Sequence, residues 1–223
     1  MSVSYLAKFD TSPLKLPDLI HGLETVFVAH GLVFDGTVSR LVSNDGWPAA
    51  DVEQVEPLAV EQMADIPAVA ANWFGVNITC VSPAIARRIG RGDWMEVDFA
   101  LFRAAPGRWS LHYLEGRRTF RNRADDDQAA EEMYALQIAL CANLGFKLSL
   151  YDEEDDARPA VASIAEAEER IRRATQGAPG CAIVVRKDQI DRGAAQVLAG
   201  PLHQSVGETS SGHVIFRFLA RSD

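Results

Sequence analysis

DDDQAAEEMYALQIALCANLGFKLSLYDEEDD, spanning Asp125–Asp156, reads as a helix, a glycine stop, a strand and then an abrupt run of acids. Asp125 is placed to cap the helix, with Gln128 in the reciprocal position three residues on. Met133, Leu136, Leu140 and Leu144 recur at helical spacing, and Tyr134, Ile138 and Cys141 widen the stripe. An apolar arc that broad predicts a helix packed on more than one side. Gly145 is its natural end. Phe146–Tyr151 then returns with the composition of a strand, and Asp152, Glu153, Glu154, Asp155 and Asp156 follow without interruption.

Downstream, Ser163 and Glu166 have the spacing of a capping box. Glu166→Arg170, Glu168→Arg172 and Glu169→Arg173 are i,i+4 pairs in the favourable order. The apolar line of Ile164, Ala167 and Ile171 is thin, which predicts a helix covering a sheet edge with its other face solvated. Cys181–Arg186 reads as a strand and Asp188–Ala199 as a short helix. Leu202–Val206 and His213–Leu219 read as strands around a polar Gly207–Gly212 loop.

Upstream, Ser2–Phe9 alternates like a half-buried strand. Pro17 opens a helix that carries Leu19, Ile20, Leu23, Val26, Phe27 and His30 on one side, and Gly31 closes it. Leu32–Phe34 and Thr37–Val42 predict two short strands turning at Asp35-Gly36. Ser43–Pro57, with its acids, glycine and two prolines, reads as a surface loop. Pro67 should break Leu58–Trp73 into two short helical pieces. Val76–Val81 is a strand, and Pro83–Ile89 a turn or two of helix. Trp94–Arg103 and Arg108–Glu115 form the clearest hairpin, turning through Ala104–Gly107. The expected fold is therefore α+β: a mostly antiparallel sheet, with a mixed sheet as the variant, and helices packed on it. One domain over residues 1–223 is expected. Residues 152–162 are the place where a bilobed chain would divide, and the piece beyond is marginal for folding alone.

Acids outnumber bases, 31 to 22, for a net charge of −9. That excludes a general nucleic-acid binder, whose affinity comes from neutralising phosphates, and docking on anionic lipid. It suits a basic protein partner. No signal peptide and no transmembrane run are read. Cys80, Cys141 and Cys181 are an odd number in apolar contexts, as buried free thiols are in a reducing compartment. A cytoplasmic location is expected.

Phosphate-loop, dinucleotide, nucleophile-elbow and zinc spacings are missing from the sequence, so no cofactor and no metal is expected. Cys80 could be combined with His112 and Asp98 as a thiol site, but its place inside a strand reads as a packed thiol. Asp152, Glu153, Glu154, Asp155 and Asp156 offer a negative patch for a basic partner. They lack the alternation of a calcium loop, and a solvated loop is the plain alternative. Asp51, Glu53 and Glu56 are candidates to extend the patch. Arg117, Arg118, Arg121 and Arg123 precede Asp125–Asp127; they can hold an anion or be neutralised by those acids. Trp47, between Gly46 and Pro48, is the candidate aromatic anchor.

With no catalytic constellation, an acidic binding protein is expected before an enzyme. It would neutralise or occlude a basic protein partner, as bacterial immunity proteins and antitoxins do. This is an analogy of composition, since no residue motif marks a family. The alternative is an enzyme or ligand-sensing domain that takes a small anion on Arg117, Arg121 and His112.

Overall fold

The computed structural model describes residues 3–43, 52–82, 96–118, 123–153, 161–173, 182–190, 193 and 204–218. They build one ten-stranded sheet. In chain order the strands are β1 Val3–Phe9, β2 Val33–Ser43, β3 Val52–Ala59, β4 Gly75–Val81, β5 Glu96–Ala105, β6 Arg108–Arg118, β7 Leu148–Glu153, β8 Ala182–Arg186, β9 Gln204–Glu208 and β10 His213–Phe218. Their order across the sheet is β3-β2-β4-β5-β6-β1-β7-β8-β10-β9. Every pairing in it is antiparallel. The helices are α1 Leu16–His30, α2 Ile66–Val69, α3 Arg123–Leu144 and α4 Ile164–Arg173, with a 3-10 turn at Met63–Asp65. The protein is α+β with an antiparallel sheet, as its hairpins and helical stripes predict.

Strand alternation divides the buried residues between two faces. The first face carries Phe9, Val76, Ile78, Cys80, Val97, Phe99, Leu101, Leu111 and Tyr113. On it lie α1, through Leu19, Ile20, Leu23 and Phe27, and α3, through Leu136, Leu140 and Leu144. Phe27 meets Phe99 with ring centroids 4.6 Å apart, and Phe99 meets Tyr113 at 4.9 Å. The broad arc on α3 is explained by this position: it touches both the sheet and α1. The 3-10 turn and α2 also join this core through Met63, Ile66 and Ala70; Pro67 does not divide them but sits in the first turn of α2, and Leu58 and Ala59 belong to β3. The second face holds a smaller cluster of Leu148, Leu150, Ile183, Val185, Val214 and Phe216 under Ala162 and Ala167 of the α4 region.

Strand β1 is held between β6 and β7. Its end is pinned to the α3–β7 turn. Asp10 accepts the backbone N–H groups of Lys147 at 2.9 Å and Leu148 at 3.2 Å, and Ser12 donates to the Leu144 carbonyl. Burial pushes the Asp10 carboxyl up to about 6, against the opposing pull of those N–H donors.

Three expectations are corrected. Asp35-Gly36 is no hairpin turn. It is a bulge inside the continuous strand β2, where Phe34 faces Cys80 and Val38 faces Ile78. Gly36 takes φ +85, open to glycine, and Asp35 accepts the Thr37 N–H at 2.7 Å, so the extra residues bend the strand without ending it. The loop expected over Ser43–Pro57 contains most of β3, whose proline and acids are tolerated because β3 is an edge strand. The helix α4 lies on the sheet's apolar second face between β1 and β10 and not along an edge.

Gly75 sits where β4 crosses close to β5: a Cβ there would lie 2.6 Å from the Leu101 carbonyl oxygen and 2.8 Å from Phe102 Cβ. Gly75→Ala is therefore expected to lower stability by about 1–3 kcal/mol, read from urea unfolding. Asp10 gives a pH test. Its folded value lies above the unfolded 3.8, so its contribution is fully present below that value and is lost as pH rises through about 6. Asp10→Asn keeps an acceptor oxygen and cannot ionise. It should gain on the native protein between pH 4 and 7, by about 1–3 kcal/mol; a constant difference across that range would show that Asp10 does not titrate as described.

Candidate functional site

The register allows one row of facing residues to be followed across all ten strands. It runs Pro57, Ser39, Asn77, Ala100, His112, Lys8, Leu150, Ile183, Phe216, Val206. Residues facing one another on neighbouring strands share a face, so this row samples the second face from edge to edge. As far as Lys8 it carries Ser39, Asn77, His112 and Lys8, with Pro57 and Ala100 among them; beyond Lys8 every member is apolar. Helix α4 packs on the apolar half, and the other described helices belong to the first face.

Lys8 stands at the boundary. Its ammonium lies 2.8 Å from a Glu166 carboxylate oxygen, with side-chain exposures of 3% and 17%. Glu166 occupies the capping-box position, and its N–H donates to Ser163 Oγ at 3.2 Å. Its carboxylate does something the motif does not foretell: it crosses to the sheet. A buried ammonium needs such a partner, and the partner fixes where the N-terminal turn of α4 rests. The Ala162 N–H donates to the Phe9 carbonyl beside it, at 3.1 Å.

On the polar half, Asp98 is oriented by two donors. Asn77 Nδ2 reaches its Oδ1 at 2.8 Å and Thr79 Oγ1 reaches the same oxygen at 2.9 Å. Burial holds Asp35 above the ordinary carboxylate range, and the nearby Asp98 charge adds to that. His112 stands edge-on to Phe102, centroids 4.9 Å apart.

This arrangement separates Cys80 from His112 and Asp98. Cys80 belongs to the first-face core, whereas Asp98 and His112 alternate to the second. Burial, with the Asp35 and Asp98 charges, pushes the Cys80 thiol far up, the reverse of what a nucleophilic thiolate requires. Cys141 is likewise buried and pushed up. His213 is a structural residue. Its Nδ1 lies 3.0 Å from Ser211 Oγ and its Nε2 3.4 Å from the Phe146 carbonyl, and burial holds its pKa down.

The acidic run begins inside the sheet. Asp152 and Glu153 are the last residues of β7, facing Leu6 and Tyr5 of β1. They extend past β8, whose pairing with β7 stops at Tyr151. On the other side of β1, Glu115 of β6 also faces Tyr5. Glu115 and Glu153 thus flank Tyr5 on adjacent strands, with Cα atoms about 10 Å apart. Glu96 begins β5 at the same end of the sheet. Sequence reasoning passed over Glu96 and Glu115 because each reads as an ordinary strand residue; the register brings them to the sheet end of Asp152 and Glu153, with Glu115 and Glu153 at positions of one face and Glu96 and Asp152 at positions of the other. The same end receives Arg117 and Arg118 of β6.

Arg117 lies five residues from His112 along β6, about 16 Å by strand rise. Those two residues alone do not form a compact seat for a small anion. Glu53 and Glu56 lie on the edge strand β3, six strands from β7, so the structure does not bring them to Asp152. Trp47, Asp51, Arg121, Glu154, Asp155 and Asp156 lie outside the described residues. Among the described residues, no group of three His, Cys, Asp or Glu side chains is arranged to hold a metal ion. No described helix is long and apolar enough to cross a membrane.

No protein-family model and no curated protein matches the chain. Among solved structures, one similar chain comes from the crystal structure of the toxic C-terminal tip of CdiA from Pseudomonas aeruginosa in complex with immune protein. The likeness has 9% identity and a TM-score of 0.41, over 71% of this chain and 90% of that one. Another is the Pseudomonas aeruginosa T6SS protein PA0821, at 10% identity and a TM-score of 0.41, over 96% of this chain and 64% of that one. A likeness at that TM-score fixes neither fold nor function.

The buried ion pair yields an asymmetric mutational test. Lys8→Met alone removes the ammonium that the Glu166 carboxylate meets at 2.8 Å and should cost about 3 kcal/mol in thermal or urea unfolding. Lys8→Met combined with Glu166→Leu should recover most of that loss. A double variant no more stable than the single one would mean that the pair is not the link holding α4 to the sheet.

Proposed function

We propose that this chain is an acidic binding protein that occludes a basic protein partner, in the manner of immunity and antitoxin proteins. The observation that supports this most directly is the clustering of Glu96, Glu115, Asp152 and Glu153 at one end of a single sheet, in a chain of net charge −9. Among the described residues, these four strand-borne acids share that end with Arg117 and Arg118 of β6. Asp152 and Glu153 then lead directly into Glu154, Asp155 and Asp156.

Such an end favours approach of a positively charged rim by raising its local concentration. Charge complementarity then acts mainly on association rate and on partner choice. Strand pairing fixes the backbone that carries these acids before a partner arrives, so less backbone ordering is lost on binding. Trp47 remains the proposed aromatic anchor.

The partner would be isolated by affinity capture on the full chain from its native host, and its association followed by stopped flow over a range of salt. Combined Asp152→Asn, Glu153→Gln, Asp155→Asn and Asp156→Asn substitution should slow association about tenfold at low salt and flatten its salt dependence. Adding Glu115→Gln should slow it further. Unchanged kinetics would reject the acidic end as the landing site. A purified protein that holds a small anion in place of any polypeptide would reject the binding-protein reading itself.

A further inference from the structure

We draw no further inference here: the strongest candidate, the polar strip on the second sheet face around Asn77, Thr79, Asp98 and His112, is enclosed closely enough to bury Ser39 and Asn77, and nothing among the described residues shows what covers it.

Discussion

Strand β1 has to bury both of its faces. It lies between β6 and β7 in the interior of the sheet, so its even and odd positions meet different surroundings. Ala7 and Phe9 enter the main core, where apolar burial contributes at about 25 cal/mol per Å². Lys8, between them, is as buried as they are but carries a charge. It can stay there only by meeting an opposite charge, and Glu166 supplies it. The position of α4, and with it the smaller apolar cluster, follows from that requirement. The polar half of the second face ends where this pair stands.

Much of the fold was legible because local signals agreed with it. Pro17 and Gly31 bracket α1, Gly145 ends α3, and the alternation of Val97, Phe99 and Leu101 against Trp109, Leu111 and Tyr113 describes the β5–β6 hairpin correctly. The misreadings came from residues whose local meaning depends on distant ones. Asp35-Gly36 has the composition of a turn, and only the continued pairing of β2 with β4 makes it a bulge. Pro57 and the acids near it disfavour an interior strand, yet they are acceptable in β3, and edge position is a property of the whole sheet.

The candidate site was legible in part. The acidic run is conspicuous in one dimension, but its neighbours Glu96 and Glu115 are separated from it by tens of residues and have no periodic signal. Lys8 reads as an outward strand residue, and its burial depends on α4, more than 150 residues later in the chain. Cys80, His112 and Asp98 fall close enough in sequence to invite combination. Strand parity then divides them, because Cys80 alternates to the apolar face. Chemistry proposed from residue types therefore needs the parity of each strand before it has geometrical meaning.

The place of β1 also bears on how the chain assembles. Its two sheet partners, Arg108–Arg118 and Leu148–Glu153, face it across more than 100 residues of chain. Until both exist, Leu6, Ala7 and Phe9 have no ladder to enter. The hairpin β5–β6 and the pair β9–β10 can close locally, whereas β1 closes a long loop on each side. Non-local pairing of this kind slows folding. Strand β1 is thus among the last to be seated, and its insertion converts two sheet fragments into one.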